Sequence, residues 1–250
     1  MIKTKKNFRL KISEVSRKFR VENNNLDISE ILKYTDYEVF KVGDLCKPHK
    51  ENRDKKLTNE KKFRYVEIGD IDVNLGTIKT YRSFFGKDAP NNAKRIMSKG
   101  DVLVSTRRPT RGAVVAVPED FHGHICTVFF TTLKIFNWEK SDPRFLALYL
   151  RTSIAKQQFA SQITETAYPV ISDEDVLDIE VLLPRIDTQL KIINDYEKSL
   201  KNYFFMLDKA HKQIIDAQNN LEEKLLGDFG EKLAYKKFQL NAIDKNKENC

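Results

Sequence analysis

Cysteine, long apolar runs and catalytic motifs are what this sequence is short of. There are 3 cysteines in 250 residues, Cys46, Cys126 and Cys250, widely spaced and without a CxxC. That excludes a disulfide framework or a zinc knuckle, and the three read as reduced thiols in a cytoplasmic protein. No apolar stretch approaches the roughly 20 residues that span a bilayer. The start, Met1-Ile2-Lys3-Thr4-Lys5-Lys6, is basic, but no apolar signal core follows it, so neither secretion nor a membrane partner is expected. Catalytic signatures are missing too. There is no Gly-rich nucleotide loop, no Walker lysine, no His-Glu-x-x-His and no GxSxG. The signature of adenine methyltransferases, an acidic or amide residue followed by Pro-Pro and an aromatic, is absent; Asp142-Pro143-Arg144-Phe145 lacks the second proline. His122-Gly123-His124 with Cys126 comes nearest to a metal corner, since strand alternation puts all three side chains on one face. A fourth ligand is missing, and a β-turn followed by a strand accounts for the same residues.

What is present is charge, unevenly spread. The formal net charge is +8. Residues 1–111 carry 27 Lys and Arg against 15 Asp and Glu, whereas residues 112–250 carry 17 against 21. The basic excess lies entirely in the first half. A polyanion is the natural partner, because cations that neutralise phosphates release condensed counterions. An ordinary basic surface is the alternative at this point.

The pattern of apolar residues predicts an α+β fold: a mixed, β-rich domain followed by a long coiled-coil helix. Residues 1–36 form a basic, Asn-rich appendage, with Phe8, Leu10, Ile12, Val15 and Phe19 on one face of a short helix. Residues 37–184 form the domain. Strands are expected at Val39–Val42, Phe63–Ile68, from Gly76, at Val102–Ser105, Ala113–Val117, Thr127–Phe136 and Ile179–Leu183. The polar stretch 47–62 reads as a mobile basic loop. Asp142-Pro143 opens a helix, with proline in its first turn. Residues 185–227 change character. Apolar residues occupy Ile186, Ile193, Leu200, Leu207, Ile214 and Leu221, the d positions of a heptad repeat, and the polar Glu197, His211 and Gln218 fall at a positions. Neither Gly nor Pro interrupts the run, and Gly227 stands at its expected stop. A helix of that length cannot bury its whole seam on a domain of this size, which predicts pairing with another helix; folding back on its own domain is the alternative. Residues 228–250 form a polar tail.

Four groups qualify as binding residues. Ser105, Thr106, Arg107, Arg108, Thr110 and Arg111 surround Pro109 between two apolar strands. Arginine grips guanine O6 and N7 bidentately and also holds phosphate, and hydroxyls serve either. A solvated hairpin turn is the plainer account, but three arginines in five residues favour binding. Lys79, Tyr81, Arg82 and Ser83 mix cations with an aromatic just after a strand, suited to stacking or to a core role. Lys61, Lys62 and Arg64, with Lys55 and Lys56, suit phosphates better than bases. Thr164, Thr166 and Tyr168 lie in a polar loop before Pro169 and Val170.

An ordered series of short pieces carries a resemblance. It runs through Val42-Gly43-Asp44-Leu45, Tyr65-Val66-Glu67-Ile68-Gly69-Asp70-Ile71, Gly76-Thr77-Ile78 and Gly100-Asp101-Val102-Leu103-Val104-Ser105. It continues through Asp142-Pro143-Arg144-Phe145-Leu146, Tyr168-Pro169-Val170-Ile171-Ser172 and Ile179 to Pro184, with Gln189 opening the long helix. In order and spacing the chain resembles the specificity subunits of type I restriction–modification systems over residues 37 to about 225. It departs from them at Pro184-Arg185, where the family has Pro-Pro, and in an arginine-rich loop after Ser105. The resemblance implies a target-recognition domain at 37–184 and a spacer or dimerisation helix at 185–227. It implies no catalytic activity and no cofactor in this chain, S-adenosylmethionine being expected in a partner methyltransferase (modification) subunit. The implied partners are double-stranded DNA, that methyltransferase and a restriction subunit. The family has two recognition domains and two long helices, whereas this chain reads as one of each: a half-subunit that completes itself as a homodimer through the 186–225 helix, or the recognition part of a single-chain or split restriction–modification system. Two rivals remain open: a nuclease holding magnesium through Glu67, Asp70, Asp72 and Asp101, and a coiled-coil adaptor that ignores DNA.

Overall fold

The computed structural model describes residue 35 and residues 37–53, 60–163 and 168–227. They fall into two compact units, the first ending at Asn194 and the second beginning at Asp195. The helical face expected at residues 8–19, the 228–250 tail, Lys55, Lys56, Thr164, Thr166 and Cys250 lie outside the described residues.

The first unit is framed by two four-stranded sheets and two ribbons. One sheet has the order β6 (Arg82–Phe85), β3 (Lys62–Val66), β10 (Ile125–Thr127), β7 (Ala93–Ile96), in which β10 runs parallel to β3 and the other pairs are antiparallel. The other has the order β2 (Cys46–Pro48), β11 (Phe130–Ile135), β8 (Val102–Ser105), β9 (Val114–Ala116), antiparallel throughout. The ribbons are β1 (Glu38–Lys41) with β12 (Glu180–Leu183), and β4 (Ile71–Asp72) with β5 (Thr77–Ile78).

Strand β8 shows why a run without polar alternation is a strand here. Val102 and Val104 join one apolar cluster, with Val114, Leu146, Leu150 and Phe159, while Leu103 joins another, with Met97, Val115, Phe121 and Phe130. Successive side chains point to opposite faces, so a strand with a core on each side must be apolar at every position. Each such Leu, Ile or Phe contributes about 1.5–3 kcal/mol when withdrawn from water.

Helices close the first cluster. The shortest, α1 (Val42–Leu45), separates β1 from β2. Helix α2 (Pro143–Tyr149) is capped by the Asp142 carboxylate, which accepts the Arg144 amide at 2.8 Å. Helix α3 (Ser153–Gln162) is capped by Thr152 and buries Ala155 and Phe159. Helix α4 (Asp173–Leu177) opens with a capping box, Ser172 with Asp175. Helix α5 (Ile186–Leu226) follows directly on the β12 segment and belongs to the first unit as far as Asn194. Gln189, fully buried, holds that turn. Its amide nitrogen donates to the carbonyls of Lys140 and Pro184, and its oxygen accepts the Asp142 amide.

Several expectations change. Lys47 and Pro48, expected to lie in a loop, belong with Cys46 to the strand β2, Asn52 bridges to Arg95, and Lys62 pairs in β3, so the described parts of the 47–62 stretch are held in the fold. The strand expected over Thr127–Phe136 is two strands, interrupted at Val128–Phe129. Residues 82–85 are a strand of their own, and α3 was not anticipated. The first unit ends inside the long helix rather than at residue 184, because Gln189 and Ile193 are buried. In the second unit the helix ends at Gly227, whose φ of 47° and amide bond to Glu223 make a left-handed stop. Every described side chain from Lys201 onward is exposed, including the seam residues Phe204, Leu207, Ile214, Leu221 and Leu225.

Candidate nucleic-acid interface

The arginine turn is built between β8 and β9. The Ser105 amide donates to the Ala113 carbonyl at 3.1 Å, closing its base, and Gly112 takes φ 78° where the chain doubles back. Arg108 is left-handed as well, at φ 49°, which costs a side-chain-bearing residue energy and marks a fixed backbone. A second segment fixes it. The Arg108 amide donates to the Pro169 carbonyl at 2.8 Å, the Ile171 amide to the Thr106 carbonyl at 3.0 Å, and Arg107 bridges Val170. The 105–111 and 168–171 segments are thereby one structure, with Tyr168 exposed at its edge (76%).

On this turn Arg107, Arg108 and Arg111 are exposed, and none pairs with a carboxylate among the described residues. Thr110 is half-buried. Two of the expected contact residues also bond within the fold. Ser105 is buried, and its hydroxyl donates to the Arg107 carbonyl at 2.6 Å, so it shapes the turn rather than facing a ligand. The Thr106 hydroxyl donates to the Phe129 carbonyl at 2.9 Å, so its hydrogen is likewise spent inside the fold.

The second basic region lies on β3 and β6. Their register sets Arg64 beside Ser83 and Tyr65 beside Arg82. Alternation turns Phe63 and Tyr65 inward and leaves Lys62 exposed and Arg64 half-exposed. Lys61 lies 5.1 Å over the Phe63 ring. The Arg64 guanidinium stacks over Tyr81 (4.9 Å) and Phe121 (5.5 Å) and bonds Asp120 at 3.3 Å. Arg82 pairs with Glu67 at 2.6 Å and lies over Tyr65 and Phe84. Tyr81 packs edge-on against Phe121. Lys61, Lys62, Lys79, Tyr81, Arg82 and Ser83 are all exposed. The sequence therefore collected the right neighbours, but it did not reveal that both arginines already have acidic partners.

The carboxylates of the nuclease alternative are committed locally. Asp70 accepts the Glu67 amide at 2.7 Å and the Thr80 hydroxyl at 2.7 Å. Asp72 accepts the amides of Asn74 and Leu75, and Glu67 pairs with Arg82. Asp101, buried, accepts the Ser98 amide and lies 2.8 Å from His49 Nδ1. Among the described residues no three His, Cys, Asp or Glu side chains gather as metal ligands. His122 Nδ1 accepts the Lys99 amide and His124 Nδ1 the Arg64 amide. Burial pushes the Cys126 thiol up to about 12, and burial followed by the nearby Arg64 and Lys61 charges lowers His124. No helix among the described residues is long and apolar enough to cross a membrane.

Among the described residues, an exposed arginine turn without a carboxylate partner stands on the two sheets, and a heptad helix follows later in the chain. The chain belongs to the type I restriction modification DNA specificity domain family, whose model matches residues 34–216. Over 111 residues it is 30% identical to the type I restriction enzyme HindI specificity subunit of Haemophilus influenzae, covering 43% of this chain and 24% of that protein. Among solved structures it is similar to the HsdS subunit from Thermoanaerobacter tengcongensis, at 28% identity and a TM-score of 0.59 over 77% of this chain and 49% of that one. A chain described with complex assembly and conformational transition of the type I R-M system matches at 27% identity and the same TM-score and coverage. The type I restriction-modification S subunit from M. genitalium shares the fold at 17% identity and a TM-score of 0.50. The chain spans about half the length of these solved relatives.

Proposed function

We propose that this chain acts as a DNA-specificity component that reads double-stranded DNA and brings a methyltransferase subunit, and with it a restriction subunit, to the target. The observation that carries this reading is the set of three exposed arginines on a backbone held from two sides, with no carboxylate beside them among the described residues. Clustered cations without a carboxylate beside them focus a positive field that attracts an anion. The chemistry of methyl transfer and its S-adenosylmethionine belong to the partner, and the chain works in the cytoplasm, where that partner and the DNA are.

The long helix supports the second half of the reading. At about 1.5 Å per residue its 41 residues extend for about 60 Å, and its seam residues beyond Lys201 are exposed. A second copy supplies a matching seam in an isologous pair. DNA titration and sedimentation of the full chain test both halves. A dimer at micromolar concentration, and binding to one duplex sequence at least tenfold above others, are expected. A monomer with or without the methyltransferase, or equal binding to all sequences, overturns the corresponding half.

A further inference from the structure

Arg107 is held differently from every other arginine of the domain. Its guanidinium carbon lies 3.3 Å from the centroid of the Phe129 ring, over the face of that ring. The backbone beneath it is tied on both sides, to Val170 by a bridge and to the buried Ser105 hydroxyl through its carbonyl. Phe129 is fixed as well. It sits in the turn between β10 and β11, half-buried, and its carbonyl accepts both the amide of Thr106 (3.0 Å) and its hydroxyl (2.9 Å). The residue that precedes Arg107 thus ties down the backbone of the residue on whose ring Arg107 lies. Arg64 and Arg82 also meet rings, but at 4.9 Å or more, and both are turned to carboxylates.

A guanidinium carried this close over a ring has that face covered, and among the described residues no hydrogen bond or ion pair occupies its N–H groups. Preorganising the fork reduces the freedom lost on binding. A fixed plane matters little to a phosphate, which accepts from many directions. It matters for two acceptors side by side in the plane of a base, and in the major groove that pair is O6 and N7 of guanine. We propose that Phe129 is a positioning residue that holds the Arg107 guanidinium as a flat fork for the O6 and N7 edge of one guanine in the target. This rests on reading the chain as a DNA-recognition subunit.

The test uses the full chain with its methyltransferase. Random duplexes are first enriched on the wild-type protein, and affinity is then measured for the enriched duplex and its single-base-pair variants. One guanine position is expected whose replacement, or conversion to 7-deazaguanine, weakens wild-type binding, while Arg107→Lys no longer distinguishes these duplexes. Phe129→Leu should reduce preference for that guanine about 2–5-fold, the worth of an exposed cation–ring contact, with non-specific affinity unchanged. Phe129→Tyr, which keeps the ring, should retain the preference. Equal weakening of every duplex by Phe129→Leu and Arg107→Lys, together with a shallower salt dependence, assigns Arg107 to phosphate and overturns the proposal. Enrichment of a sequence with unaltered guanine preference in both variants overturns it too. If the wild-type chain enriches no sequence at all, the recognition reading itself falls, an outcome distinct from the other two.

Discussion

The two basic regions of the domain are made of the same residue types and are held in opposite ways. On β3 and β6, Arg64 and Arg82 are already neutralised by Asp120 and Glu67 and rest against aromatic rings. On the turn after β8, Arg107, Arg108 and Arg111 have no such partner among the described residues, and a left-handed backbone tied to residues 169–171 fixes their origin. The number of arginines in a region therefore does not measure its capacity. A paired guanidinium must exchange one anion for another, which returns only the difference between two surface interactions, each worth about 0–1 kcal/mol. An unpaired one adds its full contact.

The contrast can be broken or sharpened by mutation. The largest effect is expected from Arg108→Ala or Arg107→Ala, each lowering affinity for the enriched target by about 1–3 kcal/mol and flattening preference at a base position; competition titrations against a scrambled duplex measure it. An equal loss from Arg82→Ala would erase the distinction between the regions. Lys62→Ala should weaken binding to all duplexes alike and reduce the slope of log affinity against log salt by about 0.9, read from titrations at several salt concentrations. Glu67→Gln tests the same region from the other side. It releases Arg82, so binding to all sequences should tighten modestly and the salt slope should steepen.

The smallest effect concerns pH. His124 accepts the Arg64 amide at Nδ1 and is held below the ordinary histidine value, first by burial and then by the Arg64 and Lys61 charges. Its neutral form is the one the fold favours, so the unfolded chain binds the proton first. Stability should hold above about pH 6.5, the ordinary histidine pKa, fall as pH drops below it, and level off once the folded form is protonated. Melting curves between pH 5 and 8 should show this slope, and His124→Gln should flatten it.

Much of the frame was legible because its signals are local. Val102–Val104 is apolar throughout because it faces two clusters, and the seam from Ile186 repeats without interruption. Other elements were hidden because distant partners define them. Strand β2 has only three residues, one of them proline, and exists because β11 pairs with it. Helix α3 buries only Ala155 and Phe159, too few to set a period that can be read along the chain. At the site, residue type located the arginines but not their partners. That Ser105 would turn inward, that Glu67 would meet Arg82, and that Phe129 would lie under Arg107 are facts of long-range packing. The Thr106 hydroxyl bonded to the Phe129 carbonyl and the Arg107 guanidinium over its ring both reach across more than 20 residues of sequence.

The exposed row from Phe204 to Leu225 has a consequence for the life of the chain in a cell. Apolar side chains left in water invite chaperones and proteases, and an assembled pair escapes both. Synthesis beyond the supply of partners would then be cleared rather than stored, so the abundance of the recognition subunit would track that of the complex. Mutations that block pairing while leaving the row apolar would register first as lower protein level, before any loss of DNA affinity.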